Sequence, residues 1–576
     1  MSFLRFLWTA FKVVVFLAGL GVIGGLVAVV VIAPWERGGR PVPENGVLDL
    51  SFEGKLDEGA RAGHLLDALR GREMSVTRMV RAIDAASSDG RIRALFIDLS
   101  GADVPLAQAE AIGAAVARFR AAGKRSHAWS EGYDLGRYAL AARFDEVWLA
   151  PTGDFAAAGA ALMLPYAGEL VDDLGIRPAI EQRRRHKTVG DVLTRRFMDA
   201  EVRAHLQAMV DDVQANALET IAAARGMNAV DLGFRLDAAL WDPEAALQSG
   251  LVDRLAYRTV LEDSLTELPV PVAAYASAVF DRDEADDEPV SGTSRIALIV
   301  ASGEIHGGGE SGPGGDSIAA GRLIGVLQDA ADEPAIAGIL LRVDSPGGEV
   351  AASDAIRETL KAIDKPVVVS MGDVAASGGY MIALGADRVV AQAATITGSI
   401  GVVGGKIVVA GLLEDYGIRF ETVAAGQNGA IYSPFQDFTP AQRARFAARI
   451  DAIYGQFTGM VAEARKLAPE VVEGLAGGRI WSGHQAAERG LVDRVGGIET
   501  AGDELRDLLG IAADAKLDLV DYPKRTTRER LIELAEGGFV AARTMLAGPL
   551  PDLETVERRL EQEGRIRLLA PEMRIR

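Results

Sequence analysis

The chain repeats itself, and this constrains its fold more than any other feature. Trp241 is followed by Gly250-Leu251-Val252-Asp253-Arg254, and Trp481 by Gly490-Leu491-Val492-Asp493-Arg494, 240 positions further on. Ile92-Arg93-Ala94-Leu95-Phe96-Ile97 is echoed by Ile336-Ala337-Gly338-Ile339-Leu340-Leu341 at a shift of 244, and Gly136-Arg137-Tyr138 by Gly378-Gly379-Tyr380 at 242. A shift that drifts slowly along most of each half marks two homologous units with small insertions. The differences between the copies then carry information. Ser377 precedes Gly378-Gly379-Tyr380 where the first copy has Leu135, and Lys187 of the first copy falls opposite the region of Gly429 in the second. A nucleophile kept in one half and a base kept in the other would form a single site across the two.

The length, 576 residues, exceeds what one core supports. We divide the chain into a short segment 1–12, an apolar anchor 13–34, a linker 35–45, a first repeat 46–280, an acidic linker 281–294, a second repeat 295–521 and a C-terminal part 522–576. Val13 to Ile32 is an uninterrupted run of apolar residues and glycine, long enough to cross a hydrocarbon core of about 30 Å as a helix. No Ala-x-Ala cleavage signal follows it, and Trp8 and Trp35 bracket it as interfacial aromatics. We read it as a transmembrane helix, the alternative being a cleaved secretory signal, with the short N-terminus inside and the rest of the chain outside the cytoplasm. Within each repeat, short apolar strands alternate with Ala-rich helical stretches such as Leu106 to Ala122 and Ala351 to Ile363, the pattern of an α/β architecture. Leu531 to Met545 reads as an amphipathic docking helix and Arg565 to Arg576 as a basic surface tail.

Composition removes several chemistries. There is no cysteine, so disulfides, thiolate nucleophiles and cysteine metal sites are excluded. A net charge of -20 argues against a broad nucleic-acid-binding surface. No constellation of metal ligands stands out, and the Gly-rich stretch His306 to Gly315 lacks the Gly-Lys-Ser/Thr of a phosphate loop. It reads as a flexible loop, and no cofactor is expected.

Three segments of the second repeat carry candidate chemistry. Asp344-Ser345-Pro346-Gly347-Gly348 ends an apolar strand in a turn whose backbone N–H groups are free of side-chain bulk and can face an oxyanion. Ala376-Ser377-Gly378-Gly379-Tyr380 sets a lone hydroxyl among small residues at a strand-to-helix junction, a place for an exposed nucleophile or, more commonly, for a helix cap. Thr397-Gly398-Ser399-Ile400-Gly401 is a further small-residue turn. None of the six histidines lies in a segment that reads as a partner for Ser377. A lysine serves instead where burial lowers its pKa. Lys187, in Arg183-Arg184-Arg185-His186-Lys187, would pass for a solvated surface charge by composition. The comparison of the repeats raises it above that.

These motifs, the duplication and the N-terminal apolar run together make the chain resemble the long-form bacterial signal peptide peptidases (protease IV), from about Val13 to about Asp521. The resemblance implies two tandem Clp protease/crotonase-like domains, an assembly anchored in the inner membrane and facing the periplasm, and a homotetrameric bowl. It also implies a Ser-Lys dyad split between repeats. Ser377 matches the family's nucleophile, Lys187 its general base, and Ser399 the serine that orients the lysine. Gly348 and Gly378 match the backbone donors of the oxyanion hole. Two departures stand out: Asp344 replaces a common Asn, and Thr188-Val189-Gly190-Asp191 replaces an Ala-x-Glu-Pro-Phe type of segment.

The expectation is a serine endopeptidase that degrades cleaved signal peptides and other unfolded apolar peptides. Two alternatives stay open at this point: a crotonase-type enzyme acting on acyl-CoA thioesters, which the same fold and oxyanion turn would serve, and a catalytically inactive membrane scaffold.

Overall fold

The computed structural model describes residues 42–59, 74–280, 292–308 and 317–523, together with the backbone of 567–569. The expected anchor 13–34, the tip of the Gly-rich loop and the segment Leu531 to Met545 lie outside the described residues. Among the described residues, no helix is long and apolar enough to cross a membrane.

Each repeat builds a sheet, wholly parallel in the first and parallel but for one antiparallel edge strand in the second. In the first, β1 (Gly46–Asp49), β2 (Ile92–Asp98), β3 (Arg125–Tyr133), β4 (Glu146–Phe155), β6 (Arg254–Leu255) and β7 (Leu268–Pro271) run in the order β6-β4-β3-β2-β1-β7. Between β4 and β6 the chain forms β5 (Arg177–Arg183), which leaves this sheet altogether. Sheets of this kind are covered on both faces, so their strands are apolar on both sides. In β2, Leu95 and Ile97 enter the main core of the repeat, while Ala94 and Phe96 enter a smaller core on the other face with Trp129 and Trp148. In the second repeat, β8 (Ser294–Ser302), β11 (Gly338–Ser345), β13 (Val367–Ala376), β14 (Arg388–Ala391), β15 (Ile396–Gly398), β17 (Ile480–Ser482), β18 (Arg494–Val495) and β19 (Leu517–Tyr522) form one eight-stranded sheet.

The helices follow from local sequence. In α1 (Leu106–Ala121), Leu106, Ala109, Ile112, Val116 and Phe119 recur at three- and four-residue spacing and are buried. α2 (Leu135–Ala141) is capped by the Asp134 side chain, which accepts from Arg137 N. α3 (Ala200–Arg225) starts at Asp199 and ends where Gly226 turns left-handed at φ 66°. α4 (Gly378–Ala383) follows Ser377. α5 (Pro440–Arg465) opens with a reciprocal capping box between Thr439 and Gln442.

A third sheet joins the repeats. It contains β9 (Glu304–His306), β10 (Ser317–Ala319), β12 (Gly347–Glu349), β16 (Val402–Val408) and β20 (Arg567–Leu569), with β5 of the first repeat at its edge. β5 runs antiparallel to β16 over seven residue pairs, from Val402 opposite Arg183 to Val408 opposite Arg177. This ribbon carries Lys187 out of its own repeat and into the second. Gly175 and Gly411 touch beside it, and a Cβ on Gly175 would lie 2.9 Å from Gly411 C. The basic C-terminal end, expected as a surface tail, instead supplies β20. This strand pairs antiparallel with β12 and also bridges to Val403 of β16.

Candidate active site

β13 delivers Ser377 to the start of α4. Its backbone stands at φ 57°, ψ -113°, a left-handed conformation that a residue with a side chain adopts only when its surroundings impose it. Ser377 N donates to Gly398 O, holding the turn against β15. Ser377 occupies the N-cap position of α4 yet makes no side-chain cap hydrogen bond, so the helix-cap reading does not describe it. Its hydroxyl faces Lys187 instead: Nζ lies 2.6 Å from Ser377 Oγ. Nζ also donates to Ser399 Oγ at 3.0 Å and to Ser399 O at 3.1 Å. All three residues are fully buried. The structure thus brings Lys187, Ser377 and Ser399 into one cluster from chain positions 190 and 212 residues apart.

Burial is the cause of the site's chemistry. With water excluded, the ammonium form of Lys187 is disfavoured, and its pKa falls well below the usual lysine range. An amine held neutral has a lone pair with which to take a hydroxyl proton, and its two N–H groups match the two acceptors that Ser399 offers.

The glycines around this cluster are there for space. A Cβ on Gly378 would sit 2.5 Å from Ser353 Oγ and 3.1 Å from Gly348 N, and one on Gly379 would sit 2.7 Å from Ser345 O. The start of α4 and β12 are therefore in contact, and the Gly348 and Gly378 backbones lie side by side next to Ser377. Gly378 is the first residue of α4, so the helix itself offers its N–H no partner. On the other side, Gly477 and Gly478 support the lysine. Gly477 O accepts from His186 N, and a Cβ on Gly478 would lie 2.3 Å from Lys187 N. Sequence reading passed over this Gly-Gly pair, which looks like an ordinary turn. The available signal was the repeat: the equivalent positions in the first copy are Asp237 and Ala238, with no glycine.

Four of the described histidines are engaged elsewhere. His205 Nε2 lies 2.8 Å from Ile480 O, and its ring meets His186 and Trp481 edge to face. His484 faces Asp212, and His306 faces Ser317.

Comparison with known proteins places the chain in a family. The model of peptidase family S49 matches the chain twice, over residues 118–269 and 359–512, and that of Clp protease matches residues 316–397. The chain is 31% identical over 554 residues to Protease 4 of Haemophilus influenzae, spanning 89% of this chain and 87% of that one. It is 32% identical over 487 residues to Protease 4 of Salmonella typhi, spanning 79% and 77%. Identity to the chloroplastic serine protease SPPA of Arabidopsis thaliana is 26% over 509 residues, spanning 86% and 73%. Matched in both halves by one family model and along most of its length by Protease 4 enzymes, the chain belongs to peptidase family S49, in two tandem regions.

Proposed function

We propose that this chain is a serine endopeptidase with a Ser-Lys dyad, Ser377 as nucleophile and Lys187 as general base, and that it degrades cleaved signal peptides and other unfolded apolar peptides. The observation that carries this reading is the 2.6 Å approach of a fully buried amine to a hydroxyl held in a strained turn. Lys187 takes the proton of Ser377 as Oγ attacks the scissile carbonyl. Gly348 and Gly378 N–H groups hold the oxyanion. The lysine then gives its proton to the departing amine, and water cleaves the acyl-enzyme by the same route. Ser399 keeps Nζ aimed at Ser377 throughout.

Three further observations support the substrate class and the setting. The slot between β12 and β16 takes an extended strand, since β20 runs antiparallel to β12 there; a peptide in that position would add backbone hydrogen bonds largely regardless of its side chains. The apolar run 13–34 fits a membrane anchor with both repeats on the periplasmic side, where released signal peptides are close by. A homo-oligomer, a tetramer by resemblance, fits the bare stretch 414–429. Every residue in it is exposed, including Tyr416 and Val423, whereas the equivalent stretch of the first repeat is the paired strand β5. A second copy of the chain would supply the missing neighbour.

The test is hydrolysis of a fluorogenic apolar peptide by wild type, Ser377→Ala and Lys187→Ala. Each variant is expected to lose at least about a thousandfold in kcat while melting at the wild-type temperature. Full activity in either variant overturns the dyad.

A further inference from the structure

Beneath Ser377, outside the dyad, lies a knot of charge built by both repeats. Arg342 on β11 donates to both carboxylate oxygens of Glu58, at 2.9 and 3.1 Å, and both side chains are fully buried. The same guanidinium also donates to Ser370 Oγ and Met371 O. Beside this pair, Asp373 Oδ2 meets Lys55 Nζ at 2.7 Å and accepts from Gln108 Nε2 at 3.1 Å, while its Oδ1 is buried without a partner. Lys55, Glu58 and Gln108 come from the first repeat. Arg342, Asp344 and Asp373 come from the second. Glu110, next along α1, accepts from Ala394 N on the approach to β15 and Ser399.

Asp344 holds the central place. β11 and β13 pair regularly up to Val343 opposite Met371, and then resume with Ser345 opposite Ala375. One residue of β11 therefore faces three of β13, and the ladder is broken at this point. The Asp344 side chain closes the break, its Oδ1 accepting from Val374 N at 2.9 Å. Its main chain is held as well, with Gly303 N donating to Asp344 O. Beyond Ser345 the two strands part. β13 reaches Ser377 three residues after Val374, and β11 leads through Ser345 to Gly347 and Gly348. The packing leaves little slack, because a Cβ on Gly372 would lie 2.9 Å from Asp344 Cβ and 3.1 Å from Glu58 Oε1.

We propose that Asp344 is a positioning residue of the peptidase: through Val374 it sets the distance between the Ser377 turn and the Gly347-Gly348 strand, and its charge makes that distance respond to pH. The proposal rests on the dyad reading for what is positioned. Glu58, Asp344 and Asp373 bring three negative charges against the two positive charges of Lys55 and Arg342, so a fully ionised knot carries an uncompensated charge. The knot relieves this by holding a proton. Loss of water, then the Asp373 and Glu58 carboxylates, push the Asp344 carboxyl up to about 7, and Asp373 is pushed up as well, first by loss of water. As a carboxylate, Asp344 offers Val374 N–H a charge-assisted acceptor; protonation weakens that bond. Activity therefore falls as pH drops through about 7. Stability moves the other way. A carboxyl whose folded pKa is raised stabilises the fold fully below its unfolded value, and that contribution is lost as pH rises through about 7.

Asparagine at 344 keeps an acceptor for Val374 N–H and removes the ionisation; alanine removes both. Asp344→Ala is expected to lower kcat about 10- to 100-fold with KM within about twofold, since the cleft is intact and only the reacting geometry is lost. Asp344→Asn is expected to recover kcat to within about threefold of wild type. It should also lack the inflection near pH 7 and melt higher than wild type above that pH. Wild-type kcat in Asp344→Ala, or Asp344→Asn as impaired as Asp344→Ala, overturns the positioning role. If alanine prevents folding, asparagine decides alone: pH–rate and pH–melting profiles that superimpose on wild type overturn the proposal. Ser377→Ala run alongside separates the two readings, because activity surviving in that variant overturns the dyad while the melting profiles still test the knot.

Discussion

The two repeats share a framework and differ at the junction they make. Tyr138 OH donates to Leu251 O at 2.8 Å in the first, and Tyr380 OH to Leu491 O at 2.8 Å in the second. Asp253 accepts from Val147 N and pairs with Arg225; Asp493 accepts from Val389 N and pairs with Arg465. Both repeats carry a 26-residue helix, α3 or α5, at the same place in the order. At the helix start following β3 or β13 the likeness ends. Leu135 is buried within a helix already capped by Asp134, while Ser377 sits in a left-handed turn against Lys187. These hydrogen bonds, each between elements of one repeat, occur in both copies. The groups that reach across to the neighbouring repeat exist once.

The predictions follow that division. Outside the dyad itself, the largest effect belongs to the one-sided support of the lysine. Gly478→Ala places a methyl against the Lys187 backbone and is expected to cut kcat about a hundredfold, an energy of about 2.7 kcal/mol. A wild-type rate in that variant would mean that the lysine position is not set by the Gly477-Gly478 turn. Ser399→Ala removes one of two acceptors for Nζ and leaves the Ser399 carbonyl, so a loss nearer tenfold is expected in kcat, with KM unchanged. On the shared side, Tyr138→Phe and Tyr380→Phe each leave a buried carbonyl without its donor. Each is expected to cost about 1–3 kcal/mol in chemical denaturation, by similar amounts. Sharply unequal costs would break the equivalence of the two frameworks. The smallest effect on the fold is expected from Val423→Asp, at a fully exposed position: stability within about 0.5 kcal/mol of wild type, with a smaller assembly in sedimentation. An unchanged assembly would remove stretch 414–429 from the subunit contact.

The architecture was legible because α/β periodicity and duplication are properties of local sequence. The helices expected at Leu106 to Ala122 and Ala351 to Ile363 run over Leu106–Ala121 and Val350–Lys361. Ser377 and Lys187 could be singled out because each interrupts the likeness of the repeats. Other features of the site have no local signature. Glu58 and Arg342 are 284 residues apart, and each alone reads as a surface charge. Gly477-Gly478 reads as a turn until Lys187 is seen pressed against it. The strand at Arg567–Leu569 lies in a basic segment whose partner strands, β12 and β16, are far away in the sequence. Long-range pairings of this kind decide the site's geometry and are invisible to composition or period.

In the proposed dyad, Lys187 of one repeat activates Ser377 of the other. The most direct measurement is the rate at which a serine-directed phosphonate labels Ser377, followed by mass spectrometry across pH in wild type and Lys187→Ala. Labelling in wild type should climb as pH rises, because the neutral amine is the active form, and labelling of Lys187→Ala should be at least about a hundredfold slower once pH exceeds the pKa of the buried amine. Equal labelling of the two proteins, or a wild-type rate indifferent to pH, would contradict it.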